Sequence, residues 1–340
     1  MAMSLTIYDI SKEANVSIAT VSRVLNGSDN VRESTRNKVM AVINKYDYAP
    51  NAFARGMSLK SLRTIGILCA DSSDLFLAKA VYYLQQELQA NDYESLLCCT
   101  GYNWDMKQNY VNLILSKKVD ALILVGSNFI GTTEEENQYI TDVAEQVPVM
   151  ILNASLDHKN VYSTLCDDFN TMYETTMRMI HSGIQDILYI YDSESYSGKH
   201  KLQGFAAAMD ESGFDNFKDY LLFYEGDSTQ MDSIADAIGQ FAKSGLPLDG
   251  VITSDDSLAI GAAKYAQQHG ISIPDELSII GYNNSILTTC CTPELTSVDN
   301  RLENQVHQLV QTLIAVLKGE EAPERTVFSG KLIERGTTRF

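Results

Sequence analysis

Thr6–Asn26 reads TIYDISKEANVSIATVSRVLN, and the N-terminal part of the chain is decided by it. Thr6 and Asp9 have the spacing of a capping box, with Asp in the usual Glu position, so a helix starts here. Ile7, Ile10 and Ala14 then fall on one helical face. Asn15 tolerates the left-handed backbone that a tight turn needs. Ser17 can cap a second helix, in which Val21, Val24 and Leu25 share the inner face. A third helix, about Glu33–Tyr46, completes a small core through Val39, Val42 and Ile43. The pattern is a helix-turn-helix.

The outer face of the second helix shows Ile18, Ala19, Ser22, Arg23 and Asn26. Arg can bond a guanine bidentately, Asn an adenine, and an apolar side chain can meet a thymine methyl. Thr20, Thr6, Tyr8 and Tyr48 offer hydroxyls to phosphates. A small amphipathic bundle with a merely solvated polar face has the same pattern, so the spacing alone leaves both readings open.

Charge first argues against DNA. The 340 residues carry a formal net charge of −18, and nucleic acid needs a basic footprint. The charge is not evenly spread. Residues 1–63 hold nine lysines and arginines against five acids, a net of +4, which leaves −22 for the other 277. A small basic head precedes a large acidic body, which suggests parts with different partners. The acidic body is expected to repel DNA except where the head docks, which limits non-specific binding.

In the body, apolar runs alternate with amphipathic stretches. One series of strands is expected at Thr64–Cys69, Ser95–Cys99, Ala121–Val125 and Val149–Leu152. A second follows at Ile187–Tyr191, Leu221–Tyr224, Gly250–Thr253 and Leu277–Tyr282. Helical stretches such as Phe76–Ala90, Asn170–His181 and Leu258–His269 lie between them. That rhythm implies two α/β subdomains, each with a parallel sheet covered by helices. Ligands in such sheets sit beyond the carboxyl ends of the strands. Polar residues recur there, in Asp71–Leu77, at Asn153 and Ser155, at Ser254–Asp256 and at Asn283–Asn284. Ordinary polar turns and helix caps would look the same.

With these residues in view, Thr6–Met57 resembles the DNA-binding headpiece of the LacI/GalR family of bacterial transcription regulators. TIYDISKEANVSIATVSRVLNG, VRESTRNKV and YAPNAFARG carry the match, which extends to the closing ERGTT. The headpiece is most similar to that of the family's catabolite-control branch. One departure is Arg32, where many members place a Ser to cap the third helix.

The resemblance implies a helix-turn-helix domain over 1–49, a hinge helix over 50–61 and an effector-binding and dimerisation domain over 62–340, like the periplasmic binding proteins. Its N-lobe would span about 62–160 and 293–322, and its C-lobe about 161–292 and 323–340. In particular, Pro293–Asn300 and the helix after it would return to the N-lobe, and Arg325–Ile333 would finish in the C-lobe. Ile18, Ala19 and Arg23 would approach bases in the major groove, with Ser17, Thr20, Ser22, Asn26 and Asn30 assisting. Met57 would wedge into the minor groove, and Ala54 would let two hinges approach. A dimer would read a pseudo-palindromic operator, most simply as a repressor. No leucine heptad follows Phe340, so a tetramer is not implied.

In the body, the resemblance makes Ser73, Phe76, Asn153, Ser197, Lys201, Asp255 and Asn283 the effector-binding candidates. Lys201 stands where many members have arginine, and Asn283 where sugar-binding members carry aspartate. Lys is a point donor rather than a fork, and an amide is a weaker acceptor than a carboxylate. The effector is therefore expected to be a sugar or sugar phosphate bound in an unusual way. The alternative is a phosphorylated carrier protein, the co-regulator of the catabolite-control branch.

Other classes are set aside. No Gly-x-Gly-x-x-Gly follows a strand, and P-loop and Gly-x-Ser-x-Gly motifs are missing. Asp167–Asp168 and Asp255–Asp256 are adjacent pairs whose side chains need not converge. An enzyme is not expected, and neither is a cofactor or metal. A free solute-binding protein would fit the body but not the basic head. No secretory signal or membrane span is read, and six cysteines without Cys-x-x-Cys fit reduced, buried or inert thiols, so a cytoplasmic setting is expected.

Overall fold

Strand pairing and helix contacts divide the chain at Arg63–Thr64. The computed structural model describes residues 6–25, 30–46 and 62–340. In the first unit, α1 (Ile7–Ala14), α2 (Ile18–Leu25) and α3 (Glu33–Lys45) enclose Ile10, Ala14, Val21, Val24, Val39, Val42 and Ile43. The Thr6 N–H and hydroxyl donate to Asp9 at 2.9 and 2.6 Å, which fixes the start of α1. Asn15 ends it in the left-handed region at φ 53°. Ser17 caps α2, taking the Thr20 N–H at 3.2 Å. Arg32 gives α3 no side-chain cap. A bundle of this size buries little area, so such caps are a sizeable share of its stability.

The second unit contains two six-stranded sheets. The first has the order β11-β5-β4-β3-β1-β2, built from β1 (Thr64–Cys69), β2 (Glu94–Cys99), β3 (Ala121–Val125), β4 (Val149–Leu152), β5 (Val161–Cys166) and β11 (Arg325–Phe328). All its pairings are parallel. The second has the order β12-β10-β9-β8-β6-β7. Its strands are β6 (Ile187–Tyr191), β7 (Leu221–Phe223), β8 (Gly250–Thr253), β9 (Ser278–Tyr282), β10 (Thr296–Asp299) and β12 (Lys331–Ile333). Only β12 runs antiparallel, against β10.

Helices cover the faces, as parallel sheets require. In the first lobe, α4 (Leu75–Ala90) and α11 (Leu302–Lys318) close one face, with Leu84 and Leu88 beside Leu309 and Leu313 in one core. The opposite face is covered by α5 (Trp104–Ser116) and α6 (Glu134–Ala144), through Val111, Ile114, Ile140 and Val143. In the second lobe, α7 (Asp168–His181) and α8 (Tyr196–Glu211) lie on one side of the sheet, and α9 (Met231–Ala242) and α10 (Asp256–His269) on the other. Gly204 lets α7 and α8 pack tightly, since a Cβ there would sit 2.3 Å from the Phe169 carbonyl oxygen.

The lobe limits differ from those expected. Residues 161–166 are β5, paired with β4 in the first sheet, not part of the C-lobe. Residues 296–299 are β10, paired with β9 in the second sheet, not a return to the N-lobe. The stretch Arg325–Ile333 is split, with β11 on the first sheet and β12 on the second. The return to the first lobe comes only with α11. The chain therefore crosses between lobes near Asp167, near Asn300 and near Gly330. The physical reason differs by segment. β5 and β10 pair with the strand just before them in sequence but are short and partly polar, so periodicity does not mark them. β11 pairs with the distant β5, which local periodicity cannot report.

Candidate nucleic-acid interface and ligand cleft

The candidate residues of the head gather at the start of α2. Ser17, Ile18, Ala19 and Arg23 are exposed, and Thr20 and Ser22 are half-buried. The Ser17 and Thr20 hydroxyls lie 2.8 Å apart, so each is partly engaged by the other. Thr6, with its hydroxyl on Asp9, and Tyr8 are exposed on α1, and Asn30 is exposed ahead of α3. Val21 and Val24 anchor the inner face of α2, which fixes the direction of the outer one. Arg23 makes no hydrogen bond or ion pair among the described residues. Asn26, Tyr48, Ala54 and Met57, with the hinge over 50–61, lie outside the described residues.

The body holds a cleft of about 580 Å³ between its two lobes. Ser73, Phe76, Asn153, Ser197, Lys201, Asp255 and Asn283 all line it. They come from the carboxyl ends of strands and the helix starts that follow, as the parallel topology requires. Ser73 and Phe76 follow β1, and Asn153 follows β4. Ser197 and Lys201 stand on the first turns of α8, while Asp255 and Asn283 follow β8 and β9. Across the cleft the Ser127 hydroxyl meets that of Ser195 at 2.9 Å, joining the lobes. Tyr196 of the second lobe packs on the first lobe's core.

Partners within the protein set what these residues can offer. Lys201 is buried; its Nζ donates to the Ser254 carbonyl at 3.0 Å and lies 3.8 Å from the Tyr282 ring centroid. The ammonium is held against the second-lobe wall by these contacts. Asn283 donates to Asp255 at 2.8 Å and accepts from Asn300 at 2.9 Å. Its backbone, at φ 93°, is in the left-handed half of the map that asparagine tolerates better than most residues. The Ser257 N–H donates to the other Asp255 oxygen at 2.7 Å. Ser197 donates to Asp168 at 2.5 Å, and the Tyr282 hydroxyl donates to the same carboxylate at 2.6 Å.

Asn153 is different. It is only 9% exposed, at φ 69°, and its side-chain amide has no hydrogen-bond partner among the described residues. Asn128, also on the lining, leaves its buried Nδ2 without a partner. Buried polar groups are normally satisfied, so an unmet amide on a cleft wall points to an external partner.

Sequence reading missed two carboxylates of the lining, Asp74 and Asp192. Asp74 falls within the polar stretch Asp71–Leu77 without being singled out there, and it caps α4, taking the Leu77 N–H at 2.7 Å. Asp192 directly follows β6, so the carboxyl-end rule applied evenly would have found it. Burial pushes the Asp74 carboxyl up to about 6, with Asp255, Asp192 and Asp71 adding repulsion. Burial, then the Asp255 charge, raises Asp192 as well.

The two adjacent acid pairs diverge. Asp167 caps α7 through the Asn170 N–H at 3.1 Å, while Asp168 turns inward. Asp255 faces the cleft, while Asp256 is buried under Ser297 and the Ser285 N–H, both at 2.6 Å. Burial and the neighbouring Asp255 push Asp256 up to about 7. The cysteines are all free, yet Cys99 and Cys290 are exposed rather than buried. Among the described residues no helix is long and apolar enough to cross a membrane.

Comparison with known proteins follows this division. Residues 6–51 match the family described as bacterial regulatory proteins, lacI family. Residues 176–338 match the periplasmic binding protein-like domain. An HTH-type transcriptional regulator of Lachnoclostridium phytofermentans is 47% identical over 341 residues, covering 99% of this chain and 100% of its own. Catabolite control protein A of Priestia megaterium is 32% identical over 299 residues, 87% of each chain. Among solved structures, the lac repressor dimer bound to operator and the anti-inducer ONPF has a TM-score of 0.86 at 20% identity, over 98% of this chain and 99% of that one. A transcriptional regulator CelR–cellobiose complex has a TM-score of 0.70 at 22% identity, over the same shares. These structural likenesses concern the fold.

Proposed function

The chain belongs to the lacI family of bacterial regulatory proteins and is a DNA-binding transcriptional regulator, not an enzyme; on that premise we propose that it is a dimeric repressor switched by an effector. Residues 1–49 form the DNA-binding domain, 50–61 the hinge, and 62–340 the effector-binding and dimerisation domain. The helix α2 enters the major groove of a pseudo-palindromic operator in the cytoplasm. Ile18, Ala19 and Arg23 approach base edges. Thr6, Tyr8, Ser17, Thr20, Ser22, Asn26, Asn30 and Tyr48 hold phosphates or assist at bases, while Ala54 and Met57 serve the hinge.

The observation that carries this reading is the outer face of α2. An arginine and two small or apolar side chains project to solvent from a helix whose opposite face is locked by Val21 and Val24. That is the residue set and the presentation that base-edge reading requires.

The effector lies in the inter-lobe cleft, against Ser73, Phe76, Asn153, Ser197, Lys201, Asp255 and Asn283. A sugar-like ligand fits a lining of hydroxyls, amides and carboxylates beside Phe76, and one structural neighbour is described as a cellobiose complex. The seating of Lys201 against the wall gives no support to a phosphate as the recognised group, so a sugar is favoured over a sugar phosphate or a phosphorylated carrier protein. Binding changes lobe closure, and linkage couples that change to operator affinity in both directions. The test is a gel-shift titration on a pseudo-palindromic duplex, with and without a panel of sugars. Specific retention that shifts with one sugar supports the reading; binding equal to that of random duplex contradicts it.

A further inference from the structure

The cleft's charges are unequal in number and in freedom. The first lobe contributes Asp74 and the second contributes Asp192 and Asp255. Among the described residues Lys201 is the one cation on the lining. Its ammonium is already held by the Ser254 carbonyl and the Tyr282 ring. Asp255 is engaged on both oxygens, whereas Asp74 Oδ2 accepts no hydrogen bond among the described residues. An anion entering this space meets an excess of carboxylates, while an ammonium makes charge-assisted hydrogen bonds with them.

A second observation, independent of charge, marks the space as a binding site. Asn153 is nine-tenths buried on the lining and its side-chain amide has no hydrogen-bond partner among the described residues, and the buried Asn128 Nδ2 is unmet there too. These groups suit hydroxyls that donate and accept. Phe76 supplies an apolar face for the C–H side of a sugar ring.

We propose that the cleft selects a polyhydroxylated ligand bearing an amino group, an amino sugar by chemical class, over its neutral parent and its phosphorylated analogue. The proposal rests on the reading of the cleft as the effector site. The ammonium sits between Asp74 and Asp192, and the hydroxyls meet Asn153 and the serines around it. Affinity rises as pH rises through about 6, where Asp74 ionises. The groups facing Asp74 are Asp71, Asp192, Asp255, Tyr102 and Cys69, and Lys201 faces Asp192.

The test is calorimetric titration of the full chain with glucosamine, galactosamine and mannosamine, each against its neutral parent and its 6-phosphate. At least one amino sugar is expected to bind about ten-fold more tightly than its parent, and its phosphate more weakly still. Asp192→Asn, nearly isosteric, is expected to bring the amino-to-neutral ratio towards one. A parent or phosphate that binds as tightly as its amino sugar overturns the proposal, as does failure of all three amino sugars to bind. Asn153→Gly separates this from the underlying reading, because glycine tolerates the φ of 69°. A neutral sugar that binds best and is lost in Asn153→Gly overturns charge selection alone. Any ligand whose binding survives Asn153→Gly unchanged lies outside the cleft and overturns the cleft reading itself.

Discussion

The outer face of α2 and the wall of the cleft are both polar, but they treat their side chains in opposite ways. On α2, Ile18, Ala19 and Arg23 project from a helix fixed on its other side, and Arg23 has no partner among the described residues. In the cleft, Lys201, Asn283, Ser197 and Asp255 are each bonded to other groups of the body. Residue identity therefore states what α2 offers a partner. In the cleft it does not, because the protein already holds much of the hydrogen-bonding capacity. What remains there is Asn153 and the carboxylates that repel one another.

The contrast is sharpened most by pH. Asp256 and Asp74 have carboxyls raised to about 7 and about 6 in the folded body. The folded state then holds more protons than the unfolded one between the ordinary carboxylate pKa, near 4, and those values. The stability of the body is expected to be highest below about pH 4 as far as these groups are concerned, and to fall as pH rises towards 7. For Asp256 the loss is at most about 4 kcal/mol, at 1.36 kcal/mol per unit. Urea unfolding of wild type and Asp256→Asn across that range checks it. The variant is expected to flatten the slope, and an unchanged slope would remove Asp256 from the account.

Next in size is the reading face. Arg23→Ala is expected to cost about 1–3 kcal/mol of discrimination per half-site, a bidentate base contact. Anisotropy titrations on operator and random duplex measure it. A comparable loss on both duplexes would mean that Arg23 contacts phosphate and not a base.

The buried network comes third. Tyr282→Phe removes one hydroxyl from the Asp168 carboxylate and is expected to destabilise the body by about 2 kcal/mol. A lowered urea midpoint at constant slope is the sign. No change would mean that Asp168 is satisfied without the tyrosine.

The smallest effect is in the head. Ser17→Ala removes the cap of α2 and is expected to cost about 1 kcal/mol. The loss should appear in the helical signal of the head and leave cleft binding alone.

The same contrast explains what the sequence made legible. The head is local: Thr6 with Asp9, the turn at Asn15, and Val21 with Val24 lie within a few residues of each other, and the structure has them in those roles. Eight strands of the two sheets read as apolar runs, and the remaining, short and partly polar strands did not. The segment Val161–Cys166 contains Ser163 and Thr164, buried but polar, so it did not stand out as a strand. Thr296–Asp299 and Arg325–Phe328 are short and partly polar; the first pairs with β9 just before it, while the second pairs with Val161–Cys166, far away along the chain. In the cleft, positions were legible because strand ends are. Partners were not: nothing local links Lys201 to Ser254, or Ser197 to Asp168.

The central claim is that α2 reads base sequence through Arg23. The most direct measurement selects duplexes from a random pool with the full chain, then titrates the enriched duplex with wild type and Arg23→Ala. The account expects an inverted repeat and a loss of at least about five-fold for the variant, the lower end of one bidentate contact. Enrichment of no inverted repeat, or equal affinity of the two proteins for it, would contradict the claim.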